Sequence, residues 1–394
     1  MHDPLPSFEN LTSMVTDIQP IDDQERAQRR ERAQRLMAAA GLDAIYLEAG
    51  PSLRYFTGVH WGLSERLLAA VLPARGEPAY VCPGFEGERL AEQTEPEARI
   101  LLWEEHESPY RLVTQLLREF APSGGAVGVE EAVRFFVFEG IRREAPTLTL
   151  ASADPVTIPC RAYKSAAEIA LMQRANDITA AAYRASMPHL REGMTQSEFR
   201  DISVAAHRAL GVEGAIWPVF GPSTAYPHGS INETQLRAGD MIVMDGSCTV
   251  DGYWSDISRS FVYGQPTQRM RDVWEIEQRA QRAAFEACQL GAPLEAVDAA
   301  ARHVITAAGF GPDYRVPGLP HRTGHGIGLE VHEWHHVVRG NTTPLTPGLC
   351  FSDEPMICIY GEFGIRLEDC IYMAGDGAHF FTAPSPSIER PFVD

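Results

Sequence analysis

Residues 241–261 read Met-Ile-Val-Met-Asp245-Gly-Ser-Cys-Thr-Val-Asp-Gly-Tyr-Trp-Ser-Asp256-Ile-Ser-Arg-Ser-Phe, and this stretch decides the fold. Two apolar halves flank Asp251-Gly252, a dipeptide that favours the tight turn of a β-hairpin. Side chains alternate along a strand with period two. A two-residue turn places Asp256 opposite position 247, which points the same way as Asp245. The two carboxylates then share one face as diagonal neighbours. The run 241–244 is apolar throughout, which implies burial on both faces and makes Asp245 a poor surface residue.

A second stretch has the same form. Residues 351–373 read Phe-Ser-Asp-Glu354-Pro-Met-Ile-Cys358-Ile-Tyr-Gly-Glu-Phe-Gly-Ile-Arg366-Leu-Glu368-Asp-Cys-Ile-Tyr-Met. A loop of about three residues near Gly361 brings Glu354 opposite Glu368. Arg366 shares a face with Glu368, and Asp369 points away. Asp245 and Glu354 take matching places in the two hairpins. Helical patterns precede both, at 163–190 and after the capping-box sequence Thr195-Gln-Ser-Glu198, then at 267–290 and 293–308. The second half of the chain therefore reads as helix-helix-hairpin twice, a pseudo-twofold α+β arrangement.

The first half differs. A helix over 21–40 stops at Gly41. Short apolar runs at 44–47, 67–72, 79–82 and 100–103 alternate with a helical stretch near 109–119, which predicts an α/β domain. Ala-Ser-Ala-Asp-Pro-Val-Thr-Ile-Pro159 breaks the pattern and predicts a linker. The expected domains are 1–158 and 159–394.

Four inward carboxylates cannot all stay ionised in a buried site without cations. Two divalent ions balance Asp245, Asp256, Glu354 and Glu368. A remaining ligand should be imidazole, and Arg322-Thr-Gly-His325-Gly-Ile-Gly offers one where glycines allow close approach.

Composition narrows the rest. A 394-residue chain with 44% hydrophobic and 22% charged residues is an ordinary globular sequence. Its net charge of −19 disfavours nucleic acid as a partner. Lys164 is the sole lysine, which excludes a phosphate-binding Gly-Lys-Ser/Thr loop. Seven scattered cysteines with no Cys-x-x-Cys argue against a disulfide framework or a zinc knuckle. No export signal and no membrane span is legible, so a cytoplasmic location is expected.

The segments Gly-Asp-Met-Ile-Val-Met-Asp245-Gly-Ser, Trp-Ser-Asp256-Ile-Ser-Arg-Ser-Phe, His321-Arg-Thr-Gly-His325-Gly-Ile-Gly-Leu-Glu-Val-His332-Glu, Ser-Asp-Glu354-Pro and Ile-Arg366-Leu-Glu368-Asp come in one order. Together they resemble the five blocks of the pita-bread metallopeptidases, which include prolidase, aminopeptidase P and methionine aminopeptidase. The first domain, through Leu53-Arg-Tyr-Phe-Thr-Gly-Val59, is similar to the N-terminal domain of creatinase and prolidase. The resemblance implies an α/β N-terminal domain followed by an α+β pita-bread catalytic domain. It implies that Asp245, Asp256, His325, Glu354 and Glu368 ligate two metals, with Asp256 and Glu368 bridging. Manganese suits this oxygen-rich set best, with cobalt and zinc as alternatives. Paired metals generate a hydroxide at neutral pH and stabilise charge on an attacked carbonyl, with Glu354 as general base.

By the same resemblance His228 orients substrate and shuttles protons. His332 binds the scissile carbonyl or the tetrahedral intermediate, and His321 is a further substrate-side histidine. Arg366 holds a carboxylate of the site. Many relatives carry Tyr where this chain has Cys358, so that hydroxyl is missing unless another group such as Tyr360 replaces it.

The implied activity is hydrolysis of the Xaa-Pro bond of dipeptides or short peptides by a homodimer, with Val59-His-Trp-Gly-Leu63 as a candidate segment reaching the other subunit's cleft. Phe220, Trp217 and Trp334 are candidate walls of an apolar pocket. The alternatives are an aminopeptidase P acting on longer peptides, an ectoine-type amide hydrolase and a non-catalytic peptide-binding protein. His332-Glu-Trp-His-His336 also matches the His-Glu-x-x-His zincin signature, which requires a helix and a single zinc. That reading leaves the four strand acids unexplained.

Overall fold

In the computed structural model, residues 5–122 and 125–392 are described. They form two compact units, one of residues 21–161 and one that joins residues 5–20 to Ala162 onward.

The first unit is built on a six-stranded mixed sheet. Its spatial order is Arg99–Trp103, Ala79–Pro83, Ala69–Pro73, Ala44–Glu48, Ala126–Val129, Thr149–Ser152. The central strand Ala44–Glu48 runs antiparallel to Ala69–Pro73 and parallel to Ala126–Val129, and all five of its residues are buried. Helix Asp23–Ala40 starts where the Asp22 carboxylate accepts from Glu25 N, and it ends at Gly41 in the left-handed region. Helix Pro109–Phe120 turns Val113, Leu116 and Leu117 into a core shared with Val71, Val81 and Val127.

One expectation fails at the end of this unit. The proposed linker over 152–159 is instead the helix Asp154–Ala162, with Pro155 in its first turn and Pro159 inside it. Proline is tolerated in a first turn, where its missing N–H has no partner to lose.

The second unit carries the repeated pattern. Helices Ala166–Ser186 and Gln196–Ala209 open with reciprocal capping boxes at Ser165/Glu168 and Thr195/Glu198. They are followed by the ribbon Met241–Val250 with Tyr253–Trp254 and Ile257–Val262. Thr249 pairs with Trp254, and Gly246 with Ile257, so the two-residue turn at Asp251-Gly252 sets the expected register. The second half repeats this with helices Gln268–Ala287 and Leu294–Ala307, then the strand pairs Cys350–Asp353 with Asp369–Ala374 and Met356–Ile359 with Phe363–Arg366. Ile359 pairs with Phe363 across a three-residue loop, and Asp353 with Asp369. Glu354 and Glu368 therefore stand opposite each other in the break between the two pairings.

Some strands of this unit were not legible. Gly214–Phe220 lies on the outer edge beside Met241–Val250 despite Pro218, as prolines in sheets do. Gly324–Gly326 and Glu333–Val337 occupy the Gly/His-rich insertion. Because His332–His336 leads along an extended strand, the helix required by the zincin reading does not form.

Candidate metal centre

The two ribbons meet at their acids. Ser258 and Glu368 form an isolated antiparallel bridge that joins them. Around it, one oxygen each of Asp256 and Glu368 and one nitrogen of His325 lie within 4.8 Å of one another, and all three residues are buried. These three could hold a metal ion. His325 Nε2 is 3.6 Å from Asp256 Oδ2 and 3.4 Å from Glu354 Oε1, which adds Glu354 to the same space.

The local chain accounts for this convergence. Glu354 is held by its N–H, which donates to Thr323 O at 2.8 Å. The Ser352 hydroxyl donates to Glu354 Oε1 at 3.3 Å and accepts from His325 N at 3.0 Å. Gly324 and Gly326 permit this approach: a Cβ on the first would collide with Ser352 O, and on the second with Trp334 O. His325 Nδ1 faces its neighbour's carbonyl, Gly326 O, at 3.1 Å. That contact requires the proton on Nδ1, so the Nε2 lone pair faces the carboxylates.

Arg366 organises the other side. Its guanidinium donates to Asp245 Oδ2 at 2.6 Å, to the Ser258 hydroxyl at 2.9 Å and to Pro227 O at 3.1 Å, and it lies 3.8 Å from Glu368. The Pro227 contact fixes the chain at the residue before His228, whose side chain is exposed. The His332 ring lies edge-on to the His325 ring, with centroids 4.2 Å apart. His321 is half-buried; its Nδ1 donates to Arg322 O at 2.7 Å, and its buried Nε2 has no partner. Burial lowers the His321 pKa and takes that of His325 down to about 4, so both rings are neutral bases.

The electrostatics favour cations. Burial, then repulsion from Glu368, Asp245 and Glu354, raises Asp256 well above the ordinary carboxylate range. Glu368 is raised by burial and by Glu354 and Asp245. One arginine cannot balance four acids, and a bound cation would supply the missing charge. Oxygen donors with one imidazole fit a hard divalent ion.

Several sequence-stated residues sit elsewhere in function. Asp369 is fully buried on the far side, bonded to Arg259 at 2.7 Å and to Gln281 at 3.0 Å. Cys358 is buried opposite Gly364, and burial pushes its thiol up to about 12. Tyr360 does not fill that place: it is 54% exposed and packs on Tyr226 with centroids 5.3 Å apart. Of the three candidate pocket walls, Phe220 is buried in the core and Trp334 is half-buried. Trp217 is 46% exposed and stands opposite Asp245 in the ladder. Sequence reasoning missed Ser258 and the pair Asp298–Arg302, whose guanidinium ties His321 O and Leu319 O to helix Leu294–Ala307. Nothing in the spacing of serine or of an i,i+4 helix pair marks either.

Comparison with known proteins agrees with this geometry. A model of metallopeptidase family M24 matches residues 170–374, and one of the creatinase/prolidase N-terminal domain matches residues 29–163. The chain belongs to metallopeptidase family M24. It is therefore a hydrolase, and M24 membership implies divalent metal ions. Among M24 relatives, the probable dipeptidase PepE of Mycobacterium tuberculosis is 34% identical over 91% of this chain and 94% of its own length. The Xaa-Pro dipeptidase of Lactobacillus helveticus is 30% identical, covering 89% of this chain and 96% of its own. The crystal structure of dipeptidase PepE from Mycobacterium ulcerans superposes with a TM-score of 0.86 at 32% identity, over 95% of this chain and all of that one. The two-domain fold, a creatinase-like α/β domain before a pita-bread domain, is that of these proteins.

Proposed function

We propose that this M24 enzyme hydrolyses the Xaa-Pro bond of dipeptides, as a prolidase does. One observation carries the reading: the acids of two ribbons and His325 converge on one space, in a chain that matches named dipeptidases over nine-tenths of its length.

In this reading Asp245, Asp256, His325, Glu354 and Glu368 hold two divalent ions, manganese first and cobalt or zinc in its place. When bound, such ions acidify water and polarise the carbonyl under attack. The remaining work falls to the chain itself. The Glu354 carboxylate takes the proton of the attacking water. His332, beside His325 at the edge of the site, donates to the substrate carbonyl oxygen. His228, on the loop that Arg366 fixes through Pro227 O, orients the substrate and passes the proton toward the leaving secondary-amine nitrogen of proline. His321, a neutral ring with an unpartnered Nε2, accepts from a substrate N–H. Proline's tertiary amide has no N–H to offer, so recognition must come from shape. Trp217, exposed and next to Asp245, supplies an apolar wall for the ring.

We further propose a cytoplasmic homodimer with no nucleic-acid partner. Seven unpaired, buried cysteines suit a reducing compartment. Leu63, Phe85, Leu102, Phe135 and Phe136 are exposed on the first unit and suit contact with a second copy. No helix of the described residues is long and apolar enough to cross a membrane.

A cleavage panel tests the reading. Ala-Pro and Gly-Pro with manganese should be hydrolysed well, Xaa-Pro-Yaa tripeptides poorly and N-acyl amides not at all. Preferential cleavage of tripeptides or of acyl amides contradicts it.

A further inference from the structure

Lys164 is buried beside Glu333, and neither residue belongs to the site described above. Lys164 Nζ donates to Glu333 Oε2 at 2.9 Å, with both side chains 1% exposed. The other oxygen, Glu333 Oε1, accepts from the N–H of Leu329 at 3.0 Å and of Glu330 at 3.3 Å. The loop 325–333 is thus wrapped around one carboxylate. Gly328 completes the wrap, because a Cβ there would press on Glu333 Oε2 and Lys164 Cε.

Lys164 is itself fixed. Its N–H donates to Gly348 O at 2.7 Å, and its ammonium also reaches Ala162 O at 3.4 Å. Gly348 has a φ of 91° and its absent Cβ leaves room for the Lys164 backbone. The loop is therefore anchored through a rigid cation to the start of helix Ala166–Ser186. A buried ion pair gives little net stability over apolar residues of the same volume, so stability alone does not account for it. What the pair does control is the backbone at 329–333. That backbone carries His332, adjacent to Glu333 in sequence and edge-on to His325.

We propose that Lys164 and Glu333 are positioning residues that set the place of the His332 ring. The inference rests on the reading of His332 as the group that meets the substrate carbonyl. Neither member of the pair touches substrate. A displacement of about 1 Å in a catalytic group can cost about 100-fold in rate.

The test is a mutant cycle on the full-length, manganese-loaded enzyme with Ala-Pro. Lys164→Met alone leaves a buried unpaired carboxylate and can unfold the chain. The neutral double variant Lys164→Met/Glu333→Gln avoids this. It should keep the parent's manganese stoichiometry and lose at least about 10-fold in kcat, with KM changed less than about threefold. His332→Ala should lose at least as much. Adding the double change to His332→Ala should then cost less than about threefold more, since residues acting through one group are not additive. In the metal-free protein the His332 Cε1–H NMR resonance should move in the double variant, and that of His228 should not.

Full kcat in the double variant, or a loss that multiplies fully with His332→Ala, overturns the proposal. A fully active His332→Ala removes instead the reading of His332 on which it stands.

Discussion

Ser258 and Glu368 exchange backbone hydrogen bonds of 3.2 and 3.1 Å, and the Ser258 hydroxyl donates to the Glu368 carboxylate at 2.6 Å. One residue comes from each ribbon, so the two halves are joined where their acids converge. The same hydroxyl accepts from Arg366 Nε, which makes it the link between the cation and the buried carboxylate. Ser258→Ala keeps the backbone pairs and deletes that link. It should weaken manganese binding about 10- to 100-fold, the usual effect of removing a ligand's supporting partner. Calorimetric titration reads this, and unchanged affinity would show that Glu368 needs no such support.

Behind the site, Arg259 and Asp369 form an ion pair with both side chains 0% exposed. Arg259 also donates to the carbonyls of Ser258, Glu368 and Pro391. Arg259→Met leaves Asp369 buried without its cation and should cost about 3–5 kcal/mol of unfolding free energy. A urea midpoint within error of the parent's would contradict this.

Glu277 gives a pH dependence. It is fully buried on helix Gln268–Ala287 with both carboxylate oxygens unpartnered, and burial raises its pKa well above the ordinary 4.5. Below the unfolded value the group is protonated in both states. As pH rises past it, the unfolded chain releases the proton and the folded chain keeps it, so stability falls until the folded pKa is passed. Glu277→Gln lacks this term. The stability of the variant relative to the parent should therefore grow by about 1.4 kcal/mol per pH unit above the unfolded value. Urea midpoints of both proteins from about pH 5 to about pH 7 read the difference; parallel profiles would sink the assignment.

The outline of the site was legible because strand periodicity and the Asp251-Gly252 turn fix which acids face together. The register across Gly361 followed from loop length in the same way. Contacts between residues far apart in sequence were not. Lys164 and Glu333 are 169 positions apart, and no pattern pairs them. Glu333 stands in a literal His-Glu-x-x-His match, but spacing alone does not tell a helix from a strand in so short a run, and here the run is a strand. The strand Gly214–Phe220 was hidden by Pro218, which an edge position tolerates. The helix Asp154–Ala162 was hidden by two prolines that tertiary packing overrides.

Trp217 tests the proposed specificity. It stands opposite Asp245 in the ladder and is 46% exposed. Trp217→Ala should raise KM for Ala-Pro by about 10-fold, consistent with losing an aromatic contact of about 1.5 kcal/mol, and leave kcat within about threefold. A fall in kcat at constant KM would place Trp217 outside the ring pocket.

The most direct measurement is a titration of the metal-depleted enzyme with manganese, followed at once by calorimetry and by Ala-Pro hydrolysis. Two equivalents should bind per chain, and activity should rise from nothing as they do. A single equivalent at saturation, or full hydrolysis with no metal present, would contradict the account.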